Sequence, residues 1–109
     1  MRFHLARTFQ KALDKLDSQS NALARQAALS FQLNPKHPSF KFHPLQKALD
    51  RNMWSFRVNR DIRIIVHHTK DRFALCYVDH HDDAYKWAER HRVEAVSYTH
   101  LTLPTIREV

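Results

Sequence analysis

Large apolar side chains occupy every second position from 54 to 58 and again from 62 to 66, and this alternation constrains the fold of the 109-residue chain most strongly. A period of two is typical of a β-strand with one buried face, so each segment predicts such a strand. Only Asn59, Arg60 and Asp61 separate the two segments. The pattern therefore predicts an antiparallel hairpin with a three-residue connection.

The same parity predicts which residues of the hairpin face each other. Residues opposite each other in an antiparallel pair share one face of the sheet. With Val58 opposite Ile62, Arg57 lies directly across from Arg63 on the other face. Two facing cations repel each other unless an anion lies between them, so the pair predicts a phosphate-binding site. The alternative is that both arginines turn into solvent or pair with aspartates.

The segment before the hairpin predicts one strand and two helices. Residues 2–6 can form a short first strand, and Thr8 is a candidate N-cap of the first helix. The second helix should end near Leu33, because Asn34 and Pro35 follow it. Its predicted inner face consists of apolar residues at helical spacing, namely Leu23, Ala27 and Phe31.

The rest of the chain completes a single small α+β domain. The proline-rich residues 34–44 predict an ordered loop, and residues 45–50 can form one helical turn. Residues 73–78 are apolar at nearly every position, which predicts a central strand buried on both faces. A final helix is expected to begin at Asp79. The predicted order is strand, helix, helix, three antiparallel strands and helix.

His80 and His81 stand where the last strand should pass into the final helix. Histidines at such a junction can act as general acid or base near neutral pH. The alternative is that they are capping or surface residues beside Asp82 and Asp83. Composition alone would also allow a metal site that includes His67, but the ligand spacing of a known metal site is missing, so no metal is expected.

The chain is strongly basic, with 18 lysines and arginines against 11 acidic residues and a net charge of +7. Such an excess favours a polyanionic partner, either nucleic acid (RNA or DNA) or an acidic protein, over a membrane surface. No apolar run could cross a bilayer and no hydrophobic leader is evident, so a cytoplasmic location is expected. Because the chain has no glycine, a Walker A loop is excluded, and no cofactor is expected.

Residues 95–109 resemble the translation of a sequencing adapter from a transposase-based library kit. The run VSYTHLTLPT corresponds to the transposon end and the adapter, so this segment is expected to be foreign to the protein. We therefore expect a domain spanning residues 1–94, truncated at its C-terminal end in a metagenomic sequence. The charge argument is unaffected, because this segment contains one arginine and one glutamate.

The hairpin resembles that of the RelE/ParE-like toxin superfamily, and the likeness extends over nearly all of residues 1–94. In that superfamily a Trp-Ser-x-Arg strand is followed by an Arg-Leu/Ile-Ile/Val strand, which this chain matches from Trp54 onward. The resemblance implies a RelE/ParE-like fold, with Arg63 in the position that holds the scissile phosphate in ribonuclease members. His81 and Tyr85 match a C-terminal His-x-x-x-Tyr pattern, which implies proton transfer or base stacking.

Two sets of candidate site residues follow. If the domain is a nuclease, the catalytic residues are Arg63, His81 and Tyr85. The residues expected to bind nucleic acid are Arg57, Arg60, Arg63 and His80.

The C-terminal part of the chain departs from the ribonuclease pattern. Asp82 and Asp83 stand where such toxins often carry basic residues, and Ser55 stands where some relatives have a catalytic lysine. Residues 77–90 more closely resemble a RelE-like domain at the N-terminus of UvrD-type ATP-dependent DNA helicases. The expected function is therefore a nucleic-acid-binding domain of such a helicase protein. The alternatives are a stand-alone type II toxin that cleaves mRNA, with an antitoxin and the ribosome as partners, or a ParE-like topoisomerase inhibitor.

Overall fold

The computed structural model describes residues 2–92, which form a five-stranded sheet with helices on both faces. In chain order the elements are β1 (Arg2–Leu5), α1 (Arg7–Asp14), α2 (Ser18–Leu33), a 3-10 turn (Pro38–Phe40), β2 (His43–Pro44), β3 (Met53–Arg57), β4 (Ile62–Thr69), β5 (Arg72–His80) and α3 (His81–Arg90). This order confirms the predicted α+β domain. The expected domain end at Glu94 and the adapter-like segment lie outside the described residues.

The strands are ordered β1-β5-β4-β3-β2 across the sheet. β3, β4 and β5 are antiparallel neighbours, as predicted, whereas β1 runs parallel to β5 at one edge. The two-residue β2 forms the other edge, within a segment that was predicted to be loop only. Pro44 is tolerated there because an edge strand can leave one side of its backbone without ladder hydrogen bonds.

The predicted register of the hairpin is confirmed. Arg57 lies opposite Arg63, and the N–H of Val58 donates to the carbonyl oxygen of Ile62 at 3.0 Å. The side-chain oxygen of Asn59 accepts hydrogen bonds from the N–H groups of Asp61 and Ile62, at 2.9 and 2.7 Å. Asparagine thereby closes the connection through its side chain, a turn chemistry that does not need glycine.

The larger core lies between the sheet and the pair α1 and α2, and Phe31 is at its centre. The Phe31 ring is fully buried and stacks on Phe56 with ring centroids 4.1 Å apart. Four further rings contact it at centroid distances of 5.1 to 6.2 Å, those of Phe3, Phe40, Phe42 and Phe73. Such aromatic contacts add to the free energy gained by burying the side chain.

The predicted inner face of α2 is correct at Phe31 and wrong at Leu23. The buried residues of α2 are Ala24, Ala28 and Phe31, while Leu23 is 38% exposed and Ala27 is half-buried. The helix is rotated so that small alanines approach the sheet. This orientation makes room for the aromatic cluster that Phe31 anchors.

Three further local predictions are corrected. Thr8 does not cap α1, whose N-cap is Ala6; its hydroxyl instead donates to the carbonyl oxygen of Cys76 in β5. Residues 45–50 form turns and bends and no helix. β5 continues to His80, and α3 begins only at His81, because Asp79 and His80 still pair with β4.

The opposite face of the sheet is covered by α3. Ala84 and Ala88 of this helix pack against Met53 of β3 and Ile65 of β4. Strand alternation places Arg57 and Arg63 on this same face, toward the hairpin connection. No helix among residues 2–92 is long and apolar enough to cross a membrane.

Candidate nucleic-acid interface

Arg57 and Arg63 converge on one carbonyl oxygen, that of Asn59. Nε of Arg57 lies 3.3 Å from this oxygen and Nη1 of Arg63 lies 2.7 Å from it. Nη1 of Arg63 also approaches the carbonyl oxygens of Arg60 and Ile62, each at 3.2 Å. Both arginines are half-buried. Neutral carbonyl groups orient the two guanidinium groups, and no ion pair within residues 2–92 compensates either positive charge.

Asp79 extends the row of Arg57 and Arg63 across the sheet, since it pairs with Arg63 between β4 and β5. Its carboxylate accepts the hydroxyl of Tyr77 at 3.3 Å and the N–H of His80 at 2.8 Å. Within residues 2–92 no ion pair joins Asp79 to either arginine. The row therefore carries two cations and one carboxylate, and its net charge is positive. The predicted alternative of arginine–aspartate pairing is not what the structure contains.

His81 begins α3 at the same end of the sheet. Its N–H donates to the carbonyl oxygen of Asp61 at 2.7 Å, which ties the start of the helix to the hairpin connection. Nδ1 of its ring lies 2.9 Å from Oδ1 of Asp82, and the ring rests against Tyr85 with centroids 4.5 Å apart. Because a carboxylate holds Nδ1, Nε2 is the ring nitrogen available to a ligand.

His43 is a member of this cluster that sequence reasoning missed. Nδ1 of His43 lies 2.7 Å from the carbonyl oxygen of Lys41, so this nitrogen must carry the donated proton. Nε2 can then accept the Tyr85 hydroxyl, which lies 3.3 Å away. His43 is 42 positions from Tyr85 and reaches it only because β2 joins the sheet edge. The only sequence signal was a histidine in a proline-rich loop.

His80 and Arg60 are placed differently from the other predicted residues. His80 pairs with Ile62 of the main core, so its side chain lies on the face opposite to Arg63. There its Nδ1 is 2.6 Å from Oδ2 of Asp61. Arg60 is exposed at the tip of the connection. The structure therefore places Arg57 and Arg63 on the α3 face of the sheet. On the same side, Tyr85 contacts both His81 and His43, whereas His80 lies on the other face.

The hydrogen bond that the protonated His80 ring donates to Asp61 raises the pKa of His80 above its ordinary value of 6.5. Burial opposes this rise, and the charges of Asp61, Asp79 and Asp83 add to it. A raised folded-state pKa means that protonated His80 stabilises the fold. This contribution is complete below pH 6.5, the unfolded value, and is lost as the pH rises through the folded-state pKa. The effect on stability is small, because the pair is largely exposed to solvent.

We expect Asp61→Asn to lower the pKa of His80 toward 6.5, since the variant removes the carboxylate that favours the protonated ring. The pKa is measured by following the ring resonances in an NMR titration. Asp71→Asn is the matched control, because Asp71 lies at the opposite end of β5. An unchanged His80 titration in Asp61→Asn would show that this hydrogen bond does not set the pKa.

The donor groups of the site do not form a metal centre. No group of three or more His, Cys, Asp or Glu side chains in the described part of the chain is arranged to hold a metal ion. Asp82 and Asp83 are exposed on the first turn of α3, and Asp82 is engaged with His81. The chemistry that this arrangement can perform is anion binding by two guanidinium groups and proton transfer by imidazole and phenol groups.

Comparisons with solved structures identify the fold, although neither a protein-family model nor a curated protein matches the chain. YafQ from Escherichia coli strain BL21(DE3) matches with a TM-score of 0.63 and 16% identity, covering 78% of this chain and 99% of YafQ. The YoeB/ParE toxin from Agrobacterium tumefaciens matches with a TM-score of 0.55 and 15% identity, covering 74% and 99% of the two chains. The toxin–antitoxin complex RelBE2 from Mycobacterium tuberculosis matches with a TM-score of 0.53 and 20% identity, covering 73% and 96%.

These likenesses agree with the resemblance seen in the hairpin sequence. At such low identities they show the architecture and leave the activity open. The chain has a RelE/ParE-like fold, the architecture of YafQ and YoeB/ParE toxins.

Proposed function

We propose that this domain is a RelE-like toxin that cleaves mRNA, with Arg57 and Arg63 holding the scissile phosphate. The observation that carries the proposal is that the carbonyl oxygen of Asn59 holds the guanidinium groups of both arginines, which are half-buried and make no ion pair with any residue from 2 to 92. The oxygens of one phosphate can accept hydrogen bonds from both groups at once. This matches what the family resemblance implies for Arg63.

The neighbouring side chains supply the proton transfers that RNA cleavage needs. The ribose 2′-hydroxyl attacks the adjacent phosphorus and gives up its proton, while the 5′-oxygen leaves and takes up a proton, so a 2′,3′-cyclic phosphate remains. Tyr85 fits the base, because its oxygen can take the 2′-hydroxyl proton as its own hydroxyl proton passes to Nε2 of His43. His81, with Nδ1 held by Asp82, fits the acid through Nε2. Arg57 and Arg63 stabilise the charge that builds up on the phosphate oxygens.

An antitoxin protein and the ribosome are the partners that accompany this proposal. The solved structures that resemble this chain include complexes of a toxin with its antitoxin, RelBE2 and DinJ–YafQ. The net charge of +7 would favour binding to an acidic antitoxin and to ribosomal RNA. A cytoplasmic location follows from these partners.

Two other functions remain as alternatives on the same fold. As the N-terminal domain of a UvrD-type helicase protein, the domain would bind RNA or DNA without cleaving it. As a ParE-like toxin, it would bind a topoisomerase. The solved neighbours favour a toxin, because the chains whose fold this domain shares are described as toxins or toxin–antitoxin complexes.

The proposal is tested by adding the purified protein to a translating bacterial extract and mapping new 5′ ends on the mRNA. We expect cleavage by the wild-type protein and a loss of about 100-fold in rate for Tyr85→Phe, since this change removes only the proton-transferring hydroxyl. The phenylalanine keeps the ring against His81, so the fold should be preserved, as checked by circular dichroism.

Each alternative gives a different result in the same experiment. Binding to nucleic acid without cleavage would overturn the nuclease proposal in favour of a helicase-associated domain. Intact mRNA together with co-purification of a topoisomerase would favour the ParE-like function. Equal rates of mRNA cleavage for the wild-type protein and Tyr85→Phe would show that the Tyr85 hydroxyl takes no part in proton transfer.

A further inference from the structure

A second concave surface lies on the face of the sheet opposite to α3. It has a volume of about 910 Å³ and is bounded by the 35–44 loop, the residues before β3 and the turn between β4 and β5. We call it the loop groove and define it by its cations and its aromatic floor: Lys36, Lys41, Arg51, Lys70, Phe42, Trp54, His68 and Phe73. Neither Arg57 nor Arg63 borders it.

The walls of the loop groove carry positive charge without compensation. Lys36, Lys41, Arg51 and Lys70 are exposed along its sides, and none of the described residues that line it is an aspartate or a glutamate. Asp50 and Asp71 are the acidic residues adjacent in sequence to Arg51 and Lys70, and both interact with other side chains. Asp50 lies 3.2 Å from Nε2 of buried His67, and Asp71 lies 3.8 Å from the guanidinium of Arg2. Four cations around one concavity raise the local potential and attract an anion.

The floor of the loop groove is a set of interlocking aromatic rings. The rings of Phe42 and Trp54 are 4.6 Å apart, and Trp54 meets His68 edge to face at 5.0 Å. His68 in turn stacks on Phe73 at 4.4 Å. Phe42 and Trp54 are half-buried, so part of each ring remains open to the groove. Basic walls over an aromatic floor are the combination that binds single-stranded nucleic acid, because phosphates meet cations while bases stack on rings.

The loop groove is close to the candidate catalytic cluster around one edge of the sheet. Only the two-residue β2 forms this edge, and its residues contribute to both sides. Pro44 borders the loop groove, while the adjacent His43 contacts Tyr85 on the other face. A single nucleic-acid strand in an extended conformation can therefore cross this edge of the sheet and contact both surfaces at once.

We propose that the loop groove binds a single-stranded RNA segment of the same molecule whose phosphate is held by Arg57 and Arg63. This inference rests on the proposed function for its choice of RNA and deepens it by naming where the flanking nucleotides bind. A base stacks against Trp54 and Phe42, and the phosphates lie along the lysines and Arg51. The groove thus selects unpaired RNA, since paired bases could not reach the rings.

The test measures binding of a fluorescein-labelled 12-mer of 2′-O-methyl uridine, which lacks the attacking hydroxyl, to the full chain by fluorescence anisotropy. We expect the triple variant Lys36→Gln/Arg51→Gln/Lys70→Gln to weaken binding at least 10-fold. A plot of the logarithm of the association constant against the logarithm of the salt concentration should become less steep for this variant. The slope should change by about 0.7 for each phosphate that the variant no longer neutralises. The matched control is Arg7→Gln/Lys11→Gln/Arg25→Gln, which removes the same charge from exposed positions on α1 and α2. Equal weakening in both triple variants would overturn the proposal, because net charge alone would then explain binding.

A second readout does not depend on charge variants. In Trp87→Phe, Trp54 is the remaining tryptophan, and saturating RNA should quench its fluorescence by stacking. Unchanged fluorescence at saturation would overturn the groove as a base-binding site. Tighter binding of a 12-residue polyglutamate peptide than of RNA would also overturn it, in favour of an acidic protein segment. Because the oligonucleotide cannot be cleaved, its binding tests the groove separately from the cleavage activity. The groove proposal can therefore fail while mRNA cleavage is observed, and the reverse is also possible.

Discussion

Arg63→Ala should lower the rate of mRNA cleavage by at least about 100-fold while the domain stays folded. Nη1 of Arg63 lies within hydrogen-bond distance of three main-chain carbonyl oxygens, two in the hairpin connection and one at the start of β4. These orient the guanidinium toward the row shared with Arg57. Replacing Arg63 with alanine removes a positive charge that stabilises the negative charge developing on the phosphate oxygens. The rate is measured by primer extension on an mRNA in a translating extract.

Two further variants make the Arg63 result specific. Arg63→Lys keeps the charge but loses the planar fork that can donate to two phosphate oxygens, so we expect an intermediate loss. Arg25→Ala removes an exposed arginine of α2 that bonds only Asn21 among residues 2–92, and it should cleave at the wild-type rate. A wild-type rate for Arg63→Ala would refute the assignment of the anion site.

Phe31→Ala should lower the free energy of unfolding by about 3–5 kcal/mol, because it removes the buried ring that contacts five other phenylalanines and leaves a cavity. Domains of this size have only about 5–15 kcal/mol of total stability, so the variant should be largely unfolded at elevated temperature. The measurement is urea denaturation followed by circular dichroism.

Leu33→Ala is the matched control for Phe31→Ala. Leu33 lies in the same helix but is 79% exposed, so its removal should change the free energy of unfolding by no more than about 0.5 kcal/mol. Equal losses for the two variants would mean that α2 stability, and not the aromatic cluster, determines the result.

Strand parity made the hairpin predictable from the sequence, because one opposed pair determines every other pair in an antiparallel ladder. Arg57 opposite Arg63 was obtained in this way without any knowledge of the tertiary structure. The helix rotation at Leu23 was not predictable in the same way. In α2 the helical spacing allows either the leucine-containing face or the alanine-containing face to pack on the sheet. Ala24 and Ala28 are buried with Phe31, because the large ring of Phe31 needs small neighbours on the same face.

The rest of the candidate site depended on contacts between distant residues. The two residues of β2 are too few to show alternation, so the contact between His43 and Tyr85 had no local signal. Because β5 extends two residues further than predicted, His80 lies in the sheet on the face opposite to Arg63. A boundary error of this size is ordinary for sequence patterns, yet in a strand a shift of one residue changes the face of the sheet on which a side chain lies.

Because β1 pairs with β5, the sheet can be completed only late in the synthesis of the domain. Residues Arg2–Leu5 leave the ribosome before the other described elements, yet their neighbours in the sheet are residues 72–75. Until those residues emerge, Phe3 has no strand beside it and Phe31 lacks the ring of Phe73. Closing a loop over so much of the chain is slow compared with forming a helix. A nascent chain therefore carries an open core until β5 has been translated, and a surface framed by α3 forms only after that helix has followed.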